Sequence, residues 1–112
     1  MSAAVRSRLG VGPVLHATPF ATVVVAAIEA ENNDVVVHDE GAYLRVEVPR
    51  VCRLSRSALT AAAGHEVHLP GDLEVIMSSF AGLVRMSESG VVWWLATEPV
   101  PDLSAANVRD GR

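Results

Sequence analysis

No lysine occurs among the 112 residues; all nine basic side chains are arginine. Thirteen acids outnumber them, for a formal net charge of −4. A chain without a basic stripe is a poor binder of nucleic acid, because neutralised phosphates supply most of that affinity. Cys52 is the only cysteine. One cysteine excludes an internal disulfide and a cysteine-based zinc cluster, and it suits a reducing compartment. The longest apolar-rich run, residues 20–28, is far shorter than the ~20 residues a membrane span needs. Two arginines, Arg6 and Arg8, lie near the start, but no apolar stretch and cleavage site follow directly. Also missing are a G-x-G-x-x-G fingerprint, a P-loop, a G-x-S-x-G elbow and a paired-carboxylate signature. These absences predict a cytoplasmic protein that binds neither nucleic acid nor membrane and holds no catalytic constellation.

What remains is rich in small apolar side chains. Half the residues are hydrophobic, yet only 4% are aromatic; valine (19) and alanine (16) make up the bulk. The length allows one domain with a real core. Residues 1–10 have no periodicity and predict an N-terminal arm. Residues 97–112, with Pro99 and Pro101, predict a C-terminal tail. The ordered domain is expected over 11–96.

Residues 11–16 predict a short strand. Thr18-Pro19 signals a helix start, with threonine as N-cap and proline in the first turn. Over 20–31, Phe20, Val23, Val24, Ala27 and Ile28 share one helical face. Val23-Val24-Val25 favours a strand by propensity, but the cap and the length of the run decide for helix. Residues 34–38 predict a strand, Asp39-Glu40-Gly41 a turn, and 42–48 an alternating partner strand. On that strand Tyr43, Arg45 and Glu47 lie on one side and Leu44, Val46 and Val48 on the other. Another strand is expected over 51–54. Ser55 then caps a helix over 56–63, closed by Gly64. Residues 73–80 predict a strand, and 82–86 with 91–95 a last hairpin. The order is β-α-β-β followed by β-α-β-β-β. That is an α+β fold: a compact single domain of antiparallel sheets and two main helices, on a duplicated β-α-β-β-like plan.

Chemistry-bearing residues are few. His65 and His68 flank Glu66, but between Gly64 and Pro70 they fall in a loop, not one turn apart on a helix. They read as solvated polar residues, and no metal is expected. Cys52 lies in an apolar strand and reads as a small buried hydrophobe. Trp93 and Trp94 point to opposite faces of a strand; either both are covered by the domain or one faces a partner. Arg45, Arg50, Arg53 and Arg56 read either as a charge-guarded edge or as a patch for an acidic partner. In Ser78-Ser79-Phe80-Ala81-Gly82 a valine-rich pattern turns small and polar. Gly82 inside a strand pattern marks a bulge or a close backbone approach, and the stretch reads as a bulge or a contact surface.

The segment Leu73-Glu74-Val75-Ile76-Met77-Ser78-Ser79-Phe80-Ala81-Gly82, followed by a short strand and an aromatic strand, resembles the coupling (effector, or regulatory) proteins of soluble diiron multicomponent monooxygenases. Val11-Gly12-Pro13-Val14 resembles the opening of the toluene and alkene branch. Val35-Val36-Val37-His38-Asp39 with Gly41-Ala42-Tyr43 resembles the family's valine strand, acidic turn and aromatic strand. The resemblance spans about residues 11–95. It implies a protein that is not an enzyme and carries no metal or organic cofactor. It implies binding to the hydroxylase above its diiron centre, with effects on active-site conformation, on substrate and oxygen access, and on electron-transfer coupling. A reductase, and in four-component systems a Rieske ferredoxin, would be the linked redox partners. By position, Ile76, Met77, Ser78, Ser79, Phe80, Ala81 and Gly82 would face the hydroxylase, with Tyr43 and Arg45 as secondary contacts. The short arm and Gly-Pro opening favour the alkene/aromatic group, and the free protein is expected to be a monomer. The competing reading is a small ligand-binding or interaction module with no hydroxylase partner.

Overall fold

Each predicted signal at the first helix is used. The computed structural model describes residues 10–101. Strand β1 (Gly10–His16) leads into helix α1 (Pro19–Glu31). Thr18 is extended, and its Oγ1 accepts from Ala21 N at 3.2 Å. Proline in the first turn has no N–H to leave unpaired. Ala21, Val24, Ala27 and Ile28 are the buried face, so helical spacing overrides the strand propensity of the triple valine.

Strands β2 (Val36–Asp39), β3 (Tyr43–Pro49) and β4 (Val51–Ser55) follow. Helix α2 (Arg56–Ala63) starts at the Ser55 cap, whose Oγ accepts from Ala58 N at 3.1 Å. It stops at Gly64, φ 79°, a left-handed position that glycine adopts without steric penalty. Then come α3 (Gly71–Ile76), β5 (Met77–Ala81), β6 (Leu83–Met86) and β7 (Gly90–Trp94).

Helix α3 corrects the reading of 73–80 as one strand. Leu73 and Ile76, three apart, are both buried, while Val75 between them is 80% exposed. Pro70 O accepts from Leu73 N and Glu74 N, and Asp72 Oδ2 accepts from His68 N at 2.9 Å. One turn of helix thus buries the two large apolar residues that strand alternation would have sent to opposite faces. The strand begins only at Met77, whose N–H closes the turn on Leu73 O.

The strands form two antiparallel sheets, in the orders β2-β3-β1-β5 and β4-β7-β6. One residue separates β3 from β4, and one separates β5 from β6, so two stretches of chain each pass from one sheet to the other. The core lies between the sheets' inner faces and the helices, with Val11, Leu15, Ile28, Leu54, Leu59 and Trp93 fully buried. No helix among the described residues is long and apolar enough to cross a membrane. The predicted arm falls outside the described residues except for Gly10, which is already part of β1; of the predicted tail only residues 97–101 are described, and they form neither helix nor strand.

Candidate docking surface

Strand β5 is an edge strand and pairs only with β1 among the described residues. Its register runs Gly12 with Ala81, Pro13 with Phe80 and Val14 with Ser79, then slips so that Leu15 meets Met77. Ser78 is therefore the extra, bulged residue, and its Oγ lies 3.4 Å from Val14 O. The bulge falls at Ser78, inside the stretch where one was expected, and of the two readings of Gly82 the structure takes the close backbone approach. Gly82 makes the corner between β5 and β6, with φ 96°. A Cβ there would come within 2.7 Å of Trp94 O and 2.8 Å of Val11 Cγ1. The corner needs glycine twice over, for its dihedral angle and for the close approach.

Six consecutive residues, 78–83, are exposed on this run. Phe80 is 42% and Leu83 47% exposed, large apolar groups with Ser78, Ser79, Ala81 and Gly82 between and beside them. Of the seven residues expected at a partner surface, Ser78, Ser79, Phe80, Ala81 and Gly82 lie open. Met77 is half-buried against the core, and Ile76 is buried in it at the end of α3. Ile76 supports the surface from below and does not face outward. Leu83, which the sequence reading left out, extends the surface; its place at the start of an edge strand was the available signal.

Tyr43 and Arg45 sit on the outer face of the four-stranded sheet, away from the core. Tyr43 lies against His16, ring centroids 5.1 Å apart. Arg45 donates to Glu47 Oε2 at 2.8 Å and Glu40 Oε2 at 3.2 Å, and Glu47 Oε1 is 3.0 Å from His38 Nε2. Arg45 is thus tied into a network across two strands. Glu47 shares that face, as alternation places it, and is buried within the network. The four grouped arginines are spread out: Arg45 on one sheet, Arg50 at a corner beside Glu98, Arg53 on β4 and Arg56 exposed on α2.

The other candidates settle as buried or solvated groups. Both tryptophans are covered by the domain: Trp93 is in the main core, and Trp94 packs with Val92 and Val51 on the sheet's other face. Cys52 is fully buried. Burial pushes its thiol pKa up, and the Glu31 carboxylate adds to the shift, so no nucleophilic thiolate is available. His65, Glu66 and His68 are exposed in a loop, and no cluster of metal-ligating side chains occurs among the described residues.

Comparison with known proteins bears on the family and the fold. The family model described as the MmoB/DmpM family matches residues 10–94. A curated relative from Xanthobacter autotrophicus (strain ATCC BAA-1158 / Py2), an alkene monooxygenase system effector subunit, is 37% identical over 86 residues. That match covers 75% of this chain and 84% of the relative. Among solved structures, a chain from a phenol hydroxylase–regulatory protein complex superposes with a TM-score of 0.68. It covers 76% of this chain and 95% of that one, at 14% identity, and so speaks for the fold.

Proposed function

Because the chain belongs to the MmoB/DmpM family, we propose that it is the effector subunit of a multicomponent alkene or aromatic monooxygenase: a non-catalytic protein that docks on the diiron hydroxylase and regulates it. The observation that carries this reading beyond the family match is the run 78–83. It is exposed, uncharged and partly apolar, and it is anchored at Gly82 to the rigid frame of Val11 and Trp94. Small residues let another backbone approach closely, and Phe80 and Leu83 offer apolar area to bury against a partner.

Regulation by such a protein is thermodynamic. If it binds one hydroxylase conformation more tightly, it raises that conformation's population by no more than the difference in affinity. The reductase, and in a four-component system a Rieske ferredoxin, delivers the electrons; the effector alters active-site shape, access of substrate and oxygen, and the yield of product per electron pair. It works as a monomer in the cytoplasm and holds no cofactor.

The test uses a purified diiron hydroxylase of the alkene or aromatic group from the same source, with its reductase. Product formed per NADH consumed is measured with and without the effector. A several-fold rise that saturates near one copy per active site supports the reading. No association and no change in coupling would refute it.

A further inference from the structure

Two buried polar groups of the core lack the partners their positions call for. The first is the indole N–H of Trp93. Trp93 is fully buried, and its Nε1 has no hydrogen-bond partner among the described residues. Buried polar groups are nearly always paired, by protein or by ordered water.

The second is the main-chain carbonyl of Val46. Strand β1 is central in its sheet, yet it contains Pro13, and a proline has no N–H to give a ladder. The register shows which neighbour loses the bond. In an antiparallel pair, the main-chain groups that point at one neighbour recur at every second residue. Ala17 N donates to Ala42 O at 2.9 Å, so Leu15, Pro13 and Val11 also turn toward β3. The residue opposite Pro13 is Val46, in the register that pairs Val14 with Arg45. The β1–β3 pairing runs through Gly10 and Val11, breaks at Gly12 and Pro13, and resumes at Val14. Val46 O thus points at β1 where no ladder donor stands, and Val46 is buried.

Gly12 and Cys52 bring these two groups toward one place. A Cβ on Gly12 would lie 2.5 Å from Val46 O and 3.8 Å from Cys52 Sγ. Carbonyl and thiol therefore both face the spot where Gly12 has no side chain. Cys52 is fully buried and stands directly opposite Trp93 in the β4–β7 ladder. Directly opposed residues of a ladder project to the same face. A donor, an acceptor and a thiol, which can act weakly as either, gather where β1 meets β4 and β7.

We propose that one internal water molecule is bound there: it accepts from Trp93 Nε1–H, donates to Val46 O and has the Cys52 thiol as its third partner. The site is independent of the effector reading. Its occupant must accept and donate at once, carry no charge and fit among close-packed core side chains, and water meets all three conditions. Internal waters typically make about three hydrogen bonds to groups otherwise unsatisfied, whereas purely apolar cavities stay dry. Trp93 Nε1 and Val46 O do not satisfy each other directly, since Nε1 has no partner.

NMR on the full chain tests the site directly. The Trp93 indole proton is assigned by comparison with Trp94→Phe, a change on the sheet's other face. That proton should show a cross-peak to water of opposite sign in NOESY and ROESY spectra, the mark of a long-lived bound molecule. No cross-peak would overturn the proposal. Equal signs in the two spectra would also overturn it, because they report exchange of the indole proton with solvent through opening of the core.

A pair of variants gives a second reading. Cys52→Ser places a hydroxyl where the thiol was, and Cys52→Ala places nothing polar. In a dry core the hydroxyl has no partner, so the serine chain should unfold at clearly lower urea than the alanine chain. Beside a bound water the hydroxyl is satisfied, so the urea midpoint of Cys52→Ser should equal or exceed that of Cys52→Ala. A lower midpoint for serine, or a serine chain that fails to fold where alanine folds, would overturn the site.

Discussion

Arg50 and Gly82 stand at matching corners of the two-sheet frame. Each is the single residue between a strand of one sheet and a strand of the other, and each has left-handed backbone, φ 68° and 96°. Both are tied to the end of β7: Arg50 O accepts from Leu95 N at 3.0 Å, and Gly82 abuts Trp94 O. The duplicated plan thus has a physical basis in two equivalent bends, one on each side of the β1–β7 centre.

The arginine corner is strained where the glycine corner is not. A left-handed non-glycine residue costs about 1–2 kcal/mol, and glycine gives back roughly 0.5–1 kcal/mol through the entropy of the unfolded chain. The Arg50–Glu98 pair, 3.6 Å long with an exposed arginine, contributes little. Arg50→Gly should therefore leave urea-unfolding stability unchanged or raise it by up to about 1 kcal/mol. Arg50→Val should lower it by about 1–2 kcal/mol, since β-branching disfavours this dihedral further. A clear loss in Arg50→Gly would show that the side chain matters more than the bend.

Gly82→Leu should unfold the protein more readily and is a poor probe of docking alone. The left-handed strain is worth about 1–3 kcal/mol, and driving a side chain into Val11 and the Trp94 carbonyl about 1–3 kcal/mol more. Any loss of coupling in that variant would follow from a damaged frame. A drop in stability below 1 kcal/mol would mean the corner relaxes more easily than its contacts suggest.

Asn32→Ala should cost about 1–3 kcal/mol, because Arg53 N–H and C=O lose their partners at a part-buried site. Asn32→Asp should not rescue it. A carboxylate still accepts from Arg53 N but cannot donate to Arg53 O or Ile28 O, both bonded by Asn32 Nδ2 at 2.8 Å. Asn32→Ala frees the outward N–H and C=O of Arg53 on the β4 edge and Asn32→Asp the C=O alone, so Asn32→Ala should self-associate more than the parent at equal concentration, as light scattering would report. A stable, monomeric Asn32→Ala would show that the Asn32 side chain does not guard the β4 edge.

Much of this architecture is written locally. The Thr18-Pro19 and Ser55…Gly64 signals set two helices because caps depend on near neighbours in sequence. The alternation of 42–48 set the two faces of β3. Three features depended on distant partners. Val75-Ile76 reads as strand, yet burial of Leu73 and Ile76 together makes a helical turn. The bulge at Ser78 is fixed by its register on Pro13 and Val14, sixty-odd residues earlier. Glu47 is covered on the sheet's outer face by His38 and Arg45, which no period-two pattern reveals. The candidate surface was legible because its small, uncharged residues break the valine pattern. Ile76 drops out because the α3 turn buries it, and Leu83 joins because the Gly82 corner leads it onto an exposed edge strand.

Cys52 makes stability depend on alkaline pH. Burial and then Glu31 hold its folded pKa above the ordinary 9.0. The unfolded chain loses this proton at about pH 8.5–9 and the folded chain does not, so above that pH the folded state binds more protons. Unfolding free energy must then fall as pH rises, with a limiting slope of about 1.4 kcal/mol per pH unit from this group. With no lysine in the chain, few other groups titrate in that window. Urea unfolding at pH 8, 9 and 10 should show the decline in the parent and a flatter profile in Cys52→Ala. The native thiol should also resist iodoacetamide at pH 8 and react once urea unfolds the chain. Equal slopes in parent and variant would place the alkaline loss elsewhere, and rapid labelling of the native protein would show that the strand around Cys52 opens without global unfolding.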